Sequence, residues 1–279
     1  MSEPRVMIMH APGTNRDREA AQASELAGGA PEIVHINQLI AGNRELKAYQ
    51  MLVLPGGFSY ADDLGAGQLW ANDLVHRFRE SLDNFVRQGK PVMGICNGFQ
   101  ALVKAGYLPG PGDGALQVRA EQRVTLTFNR SAHFECRWAR LRAEEDGPCL
   151  FTQGLAEDIY CPVAHGEGRL AVADESVHQE LVEDNLVVLR YVAPREPADA
   201  GDFSASVPVH ERAGYPHNPN GSVDDIAGIC NRAGNVFGLM PHPEDHIYPQ
   251  QHPRWTRGES GGLGLVLFQN GVEAARDFM

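Results

Sequence analysis

Cys96 stands in the run Lys90-Pro-Val-Met-Gly-Ile-Cys-Asn-Gly-Phe-Gln100, between Gly94 and Gly98. A strand that turns straight into a helix forces its corner residue into a strained backbone conformation, where flanking side chains collide unless they are glycine. Val92 to Ile95 read as the end of a buried strand, and Ala101, Leu102 and Val103 carry a helical pattern beyond it. This is a nucleophile elbow with sulfur in place of oxygen. It opens the thiol at a helix N-terminus, where free N–H groups and the helix dipole favour a thiolate. The same N–H groups, Asn97 first, are suited to hold an oxyanion. A cysteine buried in a packing turn is the competing reading, and the motif alone does not choose between them.

Other segments supply the rest of an acyl-transfer site. Met51-Leu-Val-Leu54 reads as a strand that breaks into Pro55-Gly-Gly-Phe-Ser-Tyr60. Paired glycines let the backbone turn its N–H groups toward a ligand, which makes Gly57 a second oxyanion donor beside Asn97. Val236-Phe-Gly-Leu-Met240 ends in Pro241-His-Pro-Glu244, whose prolines predict extended chain. Residues two apart in such a chain project to one side, placing His242 as a base and Glu244 as its carboxylate. Tyr160 to Ala164 reads as another strand, ending at His165-Gly-Glu-Gly168. Nucleophile, oxyanion donors, base and orienting carboxylate are the parts of thiol acyl transfer.

The elements that must carry these residues follow a strand, helix, strand order with glycine at the exits, the pattern of a parallel sheet. Val6 to Met9 and Glu32 to Ile36 read as strands, with a helix over 16–26 capped by Thr14 or Asn15. Leu69, Trp70, Leu74, Phe78, Leu82 and Phe85 predict one long amphipathic helix over 67–88, with Asp62 and Asp63 available to cap it or, as the less favoured reading, to bind a cation. A turn at 109–114 precedes a predicted hairpin of 123–128 with 136–141, whose polar tip is 129–135. Leu186 to Val192 is an apolar strand, and Ile226 to Cys230 pairs with Val236 to Met240. Residues 194–223 read as an irregular excursion, 245–262 as a polar and aromatic extension, and 263–278 as a closing helix. The whole of 1–279 reads as a single domain.

A net charge of −12 and a pI near 5.3 argue against nucleic acid or an acidic membrane face as partner. The chain has no run of the roughly 18 apolar residues that a membrane span needs, and Met1-Ser-Glu-Pro-Arg5 has no secretory-signal pattern. Five cysteines, odd in number and without C-x-x-C spacing, predict free thiols in a reducing cytoplasm and no metal site.

Four strings resemble one family: P-G-G-F-S-Y at 55–60, G-I-C-N-G-F-Q at 94–100, P-V-A-H-G-E-G-R at 162–169 and G-N-V-F-G-L-M-P-H-P-E at 234–244. They resemble the glutaminase subunits of phosphoribosylformylglycinamidine synthases, members of the class I, triad-type glutamine amidotransferases. The resemblance implies an α/β, three-layer, flavodoxin-like fold with a central, mostly parallel sheet. It implies Cys96 as nucleophile, His242 as acid and base, Glu244 as its support, and Gly57 and Asn97 as the oxyanion hole. Gly56, Gln100, Asn129, Ser131 and Glu135 are implied contacts of the substrate glutamine, and His165 a pocket or interface residue. No cofactor is expected on this chain; ATP and magnesium are expected on a synthetase subunit that receives the ammonia. The reading Ala61-Asp-Asp-Leu-Gly-Ala-Gly67 and the two extra segments depart from the short members of the family, leaving the need for a third small subunit open. Alternatives are a glutaminase for another acceptor and a cysteine hydrolase of the same architecture, which needs no late H-P-E.

Overall fold

The computed structural model describes residues 3–110, 122–194 and 212–279. Apolar runs bounded by glycine or proline form the strands β1 (Arg5–His10), β2 (Ala30–His35), β3 (Met51–Leu54) and β4 (Val92–Ile95). They continue with β5 (Val124–Thr127), β6 (Glu135–Ala143), β7 (Ile159–His165), β8 (Arg169–Val172), β9 (Val187–Val192), β10 (Ile226–Cys230) and β11 (Val236–Leu239). One nine-stranded sheet has the order β2-β1-β3-β4-β11-β10-β9-β6-β7. From β2 to β11 every neighbouring pair is parallel, and from β11 onward every pair is antiparallel. In the parallel half, β3, β4 and β11 are buried along their whole length, as expected of strands covered on both faces.

Helices α1 (Asp17–Leu26), α2 (Ile36–Ile40), α3 (Gln68–His76), α4 (Arg79–Arg87), α5 (Asn97–Lys104) and α6 (Glu175–Glu183) join the strands, and Leu265–Ala275 forms the C-terminal helix. Apolar faces of these helices bury Trp70, Leu82, Phe85, Leu102 and Phe268 in the same continuous core as the sheet. α5 lies so close to β3 that a Cβ on Gly98 would fall 1.9 Å from Leu54 O. Only glycine fits there.

Several expectations are corrected. The predicted single helix over 67–88 is two, because Arg77 and Phe78 interrupt the turn between α3 and α4 and Phe78 takes the N-cap position of α4. Its apolar spacing survives the break, since both pieces bury their stripe. Thr14 and Asn15 do not cap α1, whose N-cap position is Arg16 without a side-chain bond. The Thr14 hydroxyl instead meets Ser59 Oγ at 2.7 Å. Asp62 and Asp63 do not cap α3, because left-handed Gly67 takes that position. The predicted hairpin does not form: β5 pairs with β8 in a separate two-stranded sheet, while β6 pairs with β7 and β9. Alternation in sequence reported a half-exposed strand correctly and its partner wrongly. Residues 111–114 of the glycine-rich turn and 195–211 of the excursion lie outside the described residues.

The Gly98 contact gives a direct expectation. Gly98→Ala should destabilise the fold by about 1–3 kcal/mol, the range for forcing extra volume into a packed site, read as a lower midpoint in urea unfolding. An unchanged midpoint would contradict this packing of α5 on β3.

Candidate active site

β4 ends at Ile95 and α5 begins at Asn97, so Cys96 alone makes the corner, with φ 49° and ψ −103°. This is the strained elbow expected of the sequence. It is held by Cys96 N–H donating to Leu239 O at 2.8 Å and Gln100 N–H donating to Cys96 O at 3.0 Å. The thiol faces Ala164 O at 3.7 Å. Asn97, the first residue of α5, has one of the backbone N–H groups that no helix carbonyl can satisfy.

β11 lies beside β4, and the chain leaving its end delivers His242 to the same rim. The expectation of extended chain fails locally: Pro243–Asp245 is a single 3-10 turn with Pro243 at its start, where a missing N–H costs nothing. The turn still brings Glu244 Oε1 to 2.7 Å from His242 Nδ1. His242 is 3% exposed and Glu244 0%. Burial alone pushes the imidazole toward its neutral form, but the Glu244 and Cys96 charges outweigh it and hold the His242 pKa well above the usual histidine value. A Cβ on Gly56 would lie 2.5 Å from His242 Cε1 and 3.4 Å from Cys96 Cβ, so the two side chains flank this glycine. Gly56 makes room for the imidazole; it does not line the cleft.

The cleft they share holds about 210 Å³ and is lined by Gly57, Gln100, His165, Glu167, Asp62 and Arg16, with Phe58, Phe128 and Phe134 at its apolar wall. His165 is buried with both ring nitrogens unpartnered. Burial, then the charge of His242, lowers its pKa to about 3, so it stays neutral. Gln100 donates from Nε2 to Glu167 O at 2.7 Å and accepts from Asn97 Nδ2 at 3.0 Å, which ties the wall together. Asn129, Ser131 and Glu135 are not among the lining residues. Asn129 donates to His133 O and His165 O and accepts from Gly168 N–H, while Glu135 accepts from Ser131 and Arg137. Their polar groups hold the loop behind His165. Sequence reasoning missed Asn15, Arg16, Asp62 and Glu167 as cleft residues. Glu167 lay inside the conspicuous H-G-E-G string, whereas nothing local marked Arg16.

His242, Glu244 and Asp245 offer ligand atoms within 4.8 Å of one another. Two of them already bond each other, which disfavours a metal there. Among the described residues no helix is long and apolar enough to cross a membrane.

A thiol on an elbow and a buried imidazole in one cleft of a sheet rim, with a carboxylate buried behind the imidazole, define a cysteine acyl-transfer site. Residues 3–274 match the family model of the CobB/CobQ-like glutamine amidotransferase domain. The chain is 45% identical over 275 residues to the phosphoribosylformylglycinamidine synthase subunit PurQ of Treponema denticola, covering 97% of this chain and 98% of that one. It is 43% identical to the same subunit of Dehalococcoides mccartyi, covering 99% of each. A solved structure of PurLQS from Thermotoga maritima superposes with a TM-score of 0.69 at 31% identity, over 98% of this chain and 99% of that one. The chain belongs to the glutamine amidotransferase family of that description, and within it to the PurQ subunits of phosphoribosylformylglycinamidine synthase.

Because the Glu244 charge favours the protonated ring, Glu244→Gln keeps an acceptor for Nδ1 but lowers the His242 pKa. The rate of Cys96 alkylation by iodoacetamide at neutral pH should then fall, since less imidazolium is left beside the sulfur to favour the reactive thiolate. An unchanged rate would show that the carboxylate's charge does not reach the thiol.

Proposed function

We propose that residues 1–279 act as one glutaminase unit that releases ammonia from glutamine for a separate synthetase. The observation that carries this reading is Cys96 on its elbow, sharing a cleft with a buried His242 that Glu244 keeps charged. The Cys96 thiolate attacks the side-chain carbonyl carbon of glutamine, and the electron pair moves to oxygen. N–H groups of Gly57 and Asn97 stabilise that oxyanion. Collapse breaks the C–N bond, the amide nitrogen takes the proton of imidazolium His242, and ammonia leaves a γ-glutamyl thioester. Neutral His242 then takes a proton from water as its oxygen attacks the thioester. The C–S bond breaks, glutamate departs, and thiolate and imidazolium are restored.

The acceptor in this reading is formylglycinamide ribonucleotide, converted on the synthetase subunit to formylglycinamidine ribonucleotide in purine synthesis. The 45% and 43% identical relatives bearing the subunit's name support it. A PurLQS assembly among the structural matches supports a complex with the synthetase and a third small subunit. ATP and magnesium belong to the synthetase; this chain contributes no step through them. The neutral state of ammonia favours delivery inside the docked complex, in the cytoplasm.

The glutamine-analogue electrophile 6-diazo-5-oxo-L-norleucine should modify Cys96, read by peptide mass, and fail to modify Cys96→Ser. In complex with the synthetase, Cys96→Ser should lose glutamine-driven synthesis by about 10³-fold or more and keep ammonia-driven synthesis. Labelling that survives the substitution, or loss of both activities in a folded complex, would reject the assignment.

A further inference from the structure

The hydroxyl of Thr14 turns away from α1 and toward the loop that leaves β3. Its Oγ1 accepts from Ala11 N–H at 3.1 Å and meets Ser59 Oγ at 2.7 Å. Thr14 is 6% exposed and Ser59 2%, so water does not compete for the pair. A buried hydroxyl without its partner is costly, and the bond therefore fixes the two loops against each other. Around it they run side by side. Thr14 and Gly57 form an isolated antiparallel bridge, Arg16 N–H donates to Gly56 O at 3.2 Å, and Tyr60 N–H donates to Pro12 O at 2.6 Å. The approach is so close that a Cβ on Gly57 would fall 2.5 Å from Asn15 N. Gly57, with φ 135°, is thus splinted along one side by residues 12–16.

Ser59 carries the connection onward to the other oxyanion donor. Its N–H donates to Asn97 Oδ1 at 3.2 Å, while Asn97 Nδ2 donates to Asp62 Oδ1 at 2.9 Å and to Gln100 Oε1 at 3.0 Å. Asn97 is itself 1% exposed. An oxyanion hole works only when its donors already converge where the charge develops. Gly57 and Asn97 come from the ends of two different strands, so their convergence has to be built. We propose that Thr14 is a positioning residue for the tetrahedral step: through Ser59, its hydroxyl holds the Gly57 loop in register with Asn97, so both N–H groups meet one oxygen. This rests on the glutaminase reading, with Gly57 and Asn97 as its donors, and adds a residue that does not line the cleft.

The test uses the complex with the synthetase and three variants. Thr14→Val keeps the shape and loses the hydroxyl, Thr14→Ser keeps the hydroxyl, and Ser59→Ala breaks the same bond from the other loop should Thr14→Val fail to fold. In Thr14→Val and Ser59→Ala, kcat for glutamine hydrolysis should fall at least about 10-fold, short of the roughly 10²- to 10³-fold for deleting a donor outright. KM should stay within about 2-fold, the pattern of an interaction made only in the transition state. Glutamate γ-semialdehyde, to whose aldehyde carbon the Cys96 sulfur adds, puts a tetrahedral oxygen in the same place, and its affinity should fall by the same factor as kcat. Alkylation of Cys96 by iodoacetamide develops no such oxygen, so its rate should stay within about 2-fold. Thr14→Ser should keep every constant within about 2-fold of wild type, because it keeps the bond. Unchanged kcat in the folded variants would overturn the proposal. So would a loss of alkylation rate matching the loss of kcat, which marks general damage to the cleft, or a Thr14→Ser complex as slow as Thr14→Val. A wild-type complex that binds the semialdehyde no more tightly than glutamine would remove the oxyanion donors on which the inference stands. One that hydrolyses no glutamine would instead bring down the glutaminase reading, and this inference with it.

Discussion

The site depends on one buried contact, His242 Nδ1 against Glu244 Oε1. An imidazole taken out of water resists protonation, and burial is the largest influence on this ring. Two opposite charges reverse that tendency: the carboxylate behind the ring and the sulfur in front of it. The carboxylate is itself fully buried, with Oε2 unpartnered, so it has little to stabilise it except the charge it faces. Removing either partner leaves the other as an uncompensated charge in a dry interior, which is costly. The arrangement therefore stands or falls as a set of three side chains.

Sheet topology is what assembles the set. β3, β4 and β11 are adjacent and parallel, so their C-terminal ends lie together on one rim. The first end supplies Gly56 and Gly57, the second Cys96, and the third runs into His242 and Glu244. β7, at the far edge of the same sheet, adds His165 and Glu167 because His242 N–H donates to Pro162 O at 2.8 Å and pins the two ends together. Residues far apart in the chain meet because parallel strands release their ligand-binding loops on a single side.

Much of this was legible in the residues. The elbow was readable because glycine is required on both sides of a corner so tight, and Gly94 and Gly98 are there. Glu244 was readable two positions from His242, although the backbone reaches the contact through a 3-10 turn and not by extension. Pairing of β5 with β8 was not readable, since alternation records which face is wet and says nothing about which strand lies alongside. The break at Arg77 and Phe78 was hidden because both short helices keep one apolar period. Asn129 and Glu135 were sought in the cleft and instead brace it, as a polar side chain's type does not reveal whether its partner is backbone or substrate. Arg16 and Asp62 reach the cleft only through the tertiary fold, and Asp62 looked like a cap until Gly67 took that place.

The claim that His242 is a buried imidazolium in the resting site is most directly tested by nitrogen NMR of the ring across pH in the intact chain. Both ring nitrogens should carry protons at neutral pH, with the titration midpoint well above the ordinary histidine range and moved downward in Cys96→Ala. A neutral ring at pH 7 with a midpoint near that of free histidine, indifferent to Cys96, would contradict the account.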